Sequence, residues 1–128
     1  MRHDVFDVLV RLWRLLGDDV DKARQELEHT HMPESVGRYI VAVGRRTREL
    51  PGVELGVSSR AMIHLVNAVK ANARLDGRDT VTIEDVREMA PYVLRHRLAV
   101  TPGTSVDAVL LDAMSSVPTA VPTPVTPV

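Results

Sequence analysis

At 128 residues the chain is long enough for one hydrophobic core and too short for a nucleotide-binding domain with accessory domains. Sixteen Lys and Arg against seventeen Asp and Glu leave it nearly neutral, which argues against a protein that coats nucleic acid. The lack of cysteine excludes disulfides, zinc–thiolate sites and thiol catalysis. No apolar run has membrane-spanning length, and Asp4 and Asp7 interrupt a signal-peptide pattern, so we expect a cytoplasmic protein without membrane insertion.

Helical periodicity predicts an all-α fold, a small bundle of about five to six helices, and we find no alternating pattern typical of strands. The first predicted helix, about 4–16, is apolar around most of its circumference. Such a helix is buried in the core or covers itself against a partner, for example by self-association. Further helices are predicted at about 19–29, 33–50, 59–76, 83–97 and 105–116.

Capping residues and prolines set the predicted helix ends. Ser58 is suited to cap the helix that begins at 59, and Thr82 with Asp85 forms a capping-box pattern before the next helix. Pro91 lies inside that helix and should kink or break it. Residues 53–57 are predicted to be a loop, residues 80–82 a short extended piece, and residues 99–104 a turn.

The chain divides into three predicted segments: an extra N-terminal helix of uncertain origin at 1–20, a helical domain at 21–116, and a tail rich in Pro, Thr and Val at 117–128. The tail's prolines remove backbone donors and favour extended chain, so we predict that it is disordered or draped over a partner. Residues 38–97 hold eleven basic and seven acidic residues, whereas residues 1–37 hold five and eight. This asymmetry suggests a local anionic partner or docking between the segments.

The residues best suited to meet a phosphate are Ser58, Ser59 and Arg60. Free N–H groups and the helix dipole favour an anion at a helix start, and the guanidinium fork of an arginine matches phosphate oxygens. The alternative is a surface arginine paired with a carboxylate such as Glu54. His29 and His31 lack a third ligand at suitable spacing, so no metal site is predicted.

Four short motifs recur in order between residues 56 and 98. They are Gly-Val-Ser-Ser-Arg-Ala at 56–61, Gly-Arg-Asp at 77–79, Val-Thr-Ile-Glu-Asp-Val at 81–86 and Val-Leu-Arg-His-Arg at 93–97. With Tyr39-Ile40-Val41 and Thr47-Arg48 upstream, this run resembles the C-terminal lid domain of MoxR-type AAA+ ATPases over about residues 22–118. Two departures stand out: Ser59 replaces the family's proline, and residues 1–20 do not look like the segment that precedes a lid.

The resemblance implies that Arg60 is the second-sensor arginine, with Ser58 and Ser59 beside it. In this family that arginine reads the γ-phosphate of ATP and couples lid position to hydrolysis across a subunit boundary. The same resemblance assigns a second set of residues to lid structure or to contact with the core: Arg48, Arg78, Arg95, His96 and Arg97. ATP and magnesium are expected only with an AAA+ core, and the expected partners are that core and neighbours in a hexameric, chaperone-like ring.

These 128 residues contain no Gly-x-x-x-x-Gly-Lys-Ser/Thr loop and no strand ending in paired acids, so we expect no catalysis by the chain alone. The leading hypothesis is an AAA+ lid, either a fragment of a ring ATPase or a detached lid reused for interaction. The second is a stand-alone helical module for interaction or dimerisation. A third, a histone-like DNA binder, shares the Gly-Arg turn and the Val-Thr helix start, but the near-neutral charge argues against it and no DNA is expected.

Overall fold

The structure, a computed structural model, describes residues 7, 10, 11 and 20–119. Within that part the elements are α1 (Val20–Glu28), α2 (Glu34–Glu49), β1 (Val53–Leu55), α3 (Ser59–Leu75), α4 (Ile83–Leu94), β2 (Ala99–Val100) and α5 (Val106–Ser116). The predicted all-α bundle is confirmed. Residues 7, 10 and 11 are helical, but most of the predicted helix at 4–16 and the tail from residue 120 lie outside the described residues.

One hydrophobic core is shared by α2, α3, α4 and α5. Apolar residues spaced three and four apart place one face of each helix toward this core. Tyr39 on α2 is fully buried, and its hydroxyl donates to the carbonyl of Met114 at 2.9 Å, so its polar atom is satisfied while it ties α5 to α2. The other large side chains with almost no exposure include Val43, Leu65, Val69, Val86, Met89, Leu94 and Leu110.

The α3–α4 hairpin has the most extensive contact between any two of the described elements. Gly77 turns the chain after α3 with a φ of +77°, which favours glycine because it has no Cβ. The predicted capping box at α4 is confirmed: Thr82 Oγ1 accepts from the Asp85 N–H at 3.3 Å, and Asp85 Oδ2 accepts from the Thr82 N–H at 2.8 Å. The turn between α3 and α4 is therefore set by local residues that can be recognised in the sequence: Gly77, Thr82 and Asp85.

The purely helical prediction misses a small antiparallel sheet. β1, within the predicted loop at 53–57, pairs with β2, within the predicted turn at 99–104, with Val53 opposite Val100 and Leu55 opposite Ala99. Strands of three and two residues are too short for an alternating pattern to show, so tertiary contact decides the pairing. The extended piece predicted at 80–82 is present, since Thr80 forms a single parallel bridge with His31.

Pro91 is predicted to kink or break α4, and the break is wrong, because the helix runs through Pro91 to Leu94. Proline cannot donate a helical hydrogen bond, but its carbonyl still accepts one from the Arg95 N–H at 3.1 Å. α4 ends three residues before the predicted position, where the Arg97 N–H bonds the Leu94 carbonyl at 2.9 Å in a tighter turn. The ends of the other described helices agree with prediction within one residue.

Candidate functional site

The N-terminal end of α3 is formed by the predicted cap. Ser58 has an extended backbone, and its Oγ accepts from the Ala61 N–H at 3.1 Å, which confirms it as the N-cap. Ser59 and Arg60 follow in the first turn, and both are exposed. Ala61 is fully buried, as is Leu65 one turn later, so the first turn is anchored on its inner side while its outer side faces solvent.

The loop before the cap is held by α2. The Val57 N–H donates to Thr47 Oγ1 at 3.2 Å, and the Val57 carbonyl accepts from Arg48 Nη2 at 3.0 Å. Gly56 touches the same helix so closely that a Cβ there would overlap the Arg48 side chain and lie 3.1 Å from its Cα and N. Arg48 therefore positions the loop that leads into Ser58, and only glycine fits at position 56 without a shift of backbone.

Arg60 stands apart from this network. It is exposed, and no residue in the described part of the chain accepts a hydrogen bond from its guanidinium or forms an ion pair with it. Glu54, the carboxylate considered from the sequence, does not pair with it. Within the same described residues, the N–H groups of Ser59 and Arg60 also have no acceptor. The end of α3 thus presents a cation and backbone donors together.

Four of the predicted residues line one depression of about 560 Å³ beside β1: Arg48, Ser58, His96 and Arg97. His96 and Arg97 come from the turn after α4, Arg48 comes from α2, and Ser58 caps α3. Glu54 is the acidic residue of this surface, so basic groups predominate there. A basic depression next to a helix start favours an anionic partner.

Arg78 lies at the opposite end of α3 and has a different setting. Its guanidinium donates to both carboxylate oxygens of Asp85, at 2.6 and 2.9 Å, and to Asp76 at 3.1 Å. The hydrogen bond with Asp85 is the main cause that raises the pKa of Arg78 above its ordinary value, although burial opposes it. Burial would raise the pKa of Asp85, but the hydrogen bonds from Arg78 and from the Thr82 N–H outweigh it and hold that pKa below its usual value.

Arg95 forms a third, separate contact. Its Nε donates to Asp107 Oδ1 at 3.0 Å, and its guanidinium carbon lies 5.9 Å from the centre of the Tyr92 ring. These contacts link the end of α4 to the first turn of α5. The structure therefore separates the predicted residues into an open group around Ser58 and Arg60 and two internally paired positions, Arg78 and Arg95.

The hydrogen-bond network around Asp85 includes Asn72 and Glu88, which the sequence analysis missed. Asn72 is fully buried, and its Nδ2 donates to Asp85 Oδ1 at 2.9 Å and to Glu88 Oε2 at 3.0 Å. Its Oδ1 has no hydrogen-bond partner among the described residues. The available signal was position: Asn72 falls on the apolar stripe of α3 at three residues after Val69, where a polar side chain must find a partner.

In the described part of the chain, no three His, Asp or Glu side chains are clustered in a way that would hold a metal ion. Among the same residues, no helix is both long enough and apolar enough to cross a membrane.

The structure is a helical bundle in which the capped first turn of α3 exposes Ser59 and Arg60. The family model described as AAA lid domain matches residues 45–113, more than half of the chain. The chain therefore belongs to the AAA lid domain family. Together with the relatives below, this match confirms the resemblance to the lids of MoxR-type AAA+ ATPases.

Two relatives support this membership, and one solved structure supports the fold. Protein YeaC of Bacillus subtilis, which is uncharacterised, is 35% identical over 99 residues, covering 73% of this chain and 31% of that protein. Protein MoxR of Paracoccus denitrificans is 47% identical over 47 residues, covering 37% of this chain and 14% of that protein. A crystal structure of a Cytophaga hutchinsonii protein assigned as an ATPase superposes with a TM-score of 0.71 at 23% identity, covering 92% of this chain and 44% of that one.

The matches differ in what they establish. At 23% identity the solved structure supports the fold alone, whereas the family model and the curated relatives support membership in the lid family. The chain spans less than a third of the length of the curated relatives it matches.

Proposed function

We propose that this chain is the nucleotide-responsive lid of a MoxR-type AAA+ ATPase, in which Arg60 contacts the terminal phosphate of ATP bound on a separate core domain. The observation that carries the proposal is the setting of Arg60: an exposed cation in the first turn of a capped helix, without an acceptor among the described residues. ATP and its magnesium ion would be held by that core. The chain itself would supply the cation and the moving body that carries it.

Electrostatics at the helix start supports this role. The dipole of α3 places partial positive charge where Arg60 adds a full one, which is unfavourable in isolation and becomes favourable when an anion arrives. A phosphate would meet the guanidinium fork and the free N–H groups of Ser59 and Arg60 at once. The setting of Arg60 therefore favours a role in anion binding over a role in stabilising the isolated bundle.

The mechanism proposed is conformational. ATP in the core would draw Arg60 toward its terminal phosphate, and because α3 is joined to α4 and through the loop at Val57 to α2, the helices would follow as one body. Hydrolysis removes that phosphate and releases the contact. We propose that this cycle passes motion to neighbouring subunits of a hexameric ring that acts on protein substrates in a chaperone-like way.

The depression beside β1 would belong to the same working surface. Arg48 and Ser58 are fixed there by the contacts of Val57 and Ala61, while His96 and Arg97 are exposed at its edge. We assign His96 and Arg97 to contact with acidic groups of the core. In contrast, Arg78 and Arg95 already have carboxylate partners within the lid, so we assign them to its structure.

The test is ATP turnover by a protein that contains this lid together with its core. Arg60→Ala should lower turnover by roughly 100-fold, the usual cost of losing one donor to transition-state charge. Arg87→Ala is the matched control, since Arg87 is also exposed but pairs with Glu84 on its own helix at 3.1 Å. Turnover that is unchanged in Arg60→Ala, with helix content intact by circular dichroism, would contradict the assignment of Arg60.

Mixed rings test which active site Arg60 serves. Subunits carrying Arg60→Ala are combined with subunits whose P-loop lysine is replaced, each inactive as a homogeneous ring. If Arg60 acts across a subunit boundary, as we propose, mixed rings regain ATP turnover because one intact site forms between the two kinds of subunit. No recovery would assign Arg60 to the site of its own subunit.

A further inference from the structure

An apolar groove of about 780 Å³ follows the outer face of α2 and reaches Val117, just after α5. Its floor is formed by apolar side chains and one glycine: Met32, Pro33, Gly37, Val41, Ala42 and Val117. Arginines and glutamates of α2 rim it, and two of the arginines pair with these glutamates: Arg38 with Glu34 and Arg46 with Glu49. Val41 is 43% exposed although its neighbours on the inner face are buried, so this strip of the helix lacks a cover among the described residues. An exposed apolar strip with a polar rim is typical of a surface that binds another segment.

The chain leaves α5 directly into this groove. Val117 is 8% exposed and has an extended backbone, with φ of −93° and ψ of 125°. Pro118 accounts for that conformation, because a proline disfavours the helical region for the residue before it. Pro118 and Thr119 are exposed, and the nine residues that follow, AVPTPVTPV, lie beyond the described range. The tail therefore starts with its first residue, Val117, already in the groove.

The sequence of the tail suits such a surface. It carries no charged side chain, and its prolines favour the polyproline II conformation, which repeats every three residues. With that period, within residues 120–128 one face carries Val121, Pro124 and Pro127, and the next carries Pro122, Val125 and Val128. Thr123 and Thr126 fall together on the third face. The tail would thus be amphipathic, with two apolar faces and one hydroxyl face.

The dimensions also agree. Nine residues of polyproline II extend about 28 Å, and a 16-residue helix such as α2 is about 24 Å long. Because the tail is tethered at the groove, binding costs little translational freedom, and the stiffness of its prolines reduces the entropy lost on docking.

We propose that residues 120–128 occupy the groove on α2 of the same molecule as a polyproline II strand, with their apolar faces on Val41 and Ala42. This proposal does not depend on the role of Arg60. The helix predicted at about 4–16 is the competing occupant. Because the rim carries both arginines and glutamates, net charge does not decide between this helix and the uncharged tail. Continuity of the chain through Val117 favours the tail.

The lack of cysteine makes the test direct, because Val125→Cys gives a single labelling site in the full chain. A nitroxide at that site should remove most of the amide NMR signal of Val41 and Ala42 and leave that of Ala90, in the core on α4, largely intact. Val41→Asp in the labelled chain should restore the Ala42 signal by placing a charge on the apolar floor. Leu111→Asp is the matched control, since Leu111 is 63% exposed on α5 outside the groove, and it should change nothing.

Three results would overturn the proposal. The first is a labelled tail that leaves α2 signals unchanged while circular dichroism shows the normal helix content. The second is signal loss in isotope-labelled chains caused by spin labels on other chains, which would mean that a second copy supplies the tail. The third is a nitroxide at Val8→Cys that broadens the amide signal of Val41 when the label at Val125→Cys does not. That result would mean that the N-terminal helix occupies the groove.

Discussion

The two ends of α3 carry arginines in opposite situations. After the C-terminal end, Arg78 donates to two carboxylates, and the acceptor Asp85 is itself 2% exposed and bonded to Asn72 and Thr82. At the N-terminal end, Arg60 projects from the first turn with no acceptor among the described residues. The arginine at one end is satisfied within the lid, and the arginine at the other end has no partner among the described residues.

The difference lies between an arginine that stabilises the lid and an arginine whose donors have no acceptor among the described residues. An arginine whose donors are already matched by carboxylates contributes to stability and has little left to offer a ligand. An arginine without partners contributes little to stability, which agrees with the anion-binding role proposed for Arg60. If this contrast is correct, substitutions at the two ends should divide cleanly between loss of folding free energy and loss of activity.

The largest effect on stability is expected for Asp85→Ala. The substitution removes the capping-box acceptor of Thr82 and leaves the donors of Arg78 and buried Asn72 without their main partner. We expect the free energy of unfolding in urea to fall by about 3 kcal/mol. Glu84→Ala is the control, because Glu84 is 73% exposed in the adjacent position and should cost less than about 0.5 kcal/mol. Equal losses of unfolding free energy in the two variants would contradict a central role of Asp85 in this hydrogen-bond network.

The paired arginine should be the next most costly. Arg78→Ala loses two hydrogen bonds to Asp85, one to Asp76 and one to the Thr80 carbonyl. Its side chain is 36% exposed, so we expect a loss of about 1–2 kcal/mol in urea unfolding. Arg60→Ala should change the same quantity by less than about 0.5 kcal/mol. If both variants lose the same stability, the contrast between the two ends of α3 fails.

A smaller effect is expected from acid. The pKa of Asp85 is lower in the folded lid than its ordinary value of 3.8, so its contribution to stability is complete above that value. As pH falls through the lower, folded pKa, Asp85 becomes protonated in the folded state as well, and the contribution is lost. The free energy of unfolding measured from pH 7 downward should therefore decline more steeply below about pH 4 in the natural chain than in Asp85→Asn. Parallel curves for the two proteins would contradict this expectation.

The smallest effect concerns Ser59, where the lid family has proline. Ser59 is the first helical residue, and its N–H has no acceptor in the described part of the chain, so a proline there costs no hydrogen bond. Ser59→Pro should raise the free energy of unfolding by about 0.4–1 kcal/mol by restricting the unfolded chain. Ser59→Ala lacks that restriction and should not do so. If Ser59→Pro is destabilising instead, the Ser59 N–H or the backbone conformation at the start of α3 contributes to the stability of the natural chain.

Local signals explain most of what the sequence predicts correctly. The caps at Ser58 and Thr82 act within three residues of themselves, and the helical periodicity of α2 to α5 repeats on each helix, so both are visible without a tertiary model. The family resemblance is carried by the same stretch. In consequence, the all-α class, the bounds of most described helices and the cap beside Arg60 are predicted.

The features that were missed depend on residues distant in sequence. β1 and β2 pair only because the bundle brings residues 53–55 beside residues 99–100. The contact of Gly56 with Arg48 and the burial of Asn72 against Asp85 likewise depend on how helices pack, although Asn72 interrupts an apolar stripe in a way that hints at a partner. The role of Arg60 is not decided by the fold and stays a prediction.

The small sheet also has a consequence for the order in which the lid forms. Contacts within the α3–α4 hairpin join segments close in sequence, whereas β1 and β2 close a loop that contains the entire hairpin. Contacts that close longer loops carry a larger entropic cost and tend to form later in folding. β1 leads directly into the loop before Ser58, so a newly made chain could complete the hairpin, with Arg60 in its capped first turn, before the sheet closes. The sheet would then form last during folding and be lost first in partial unfolding.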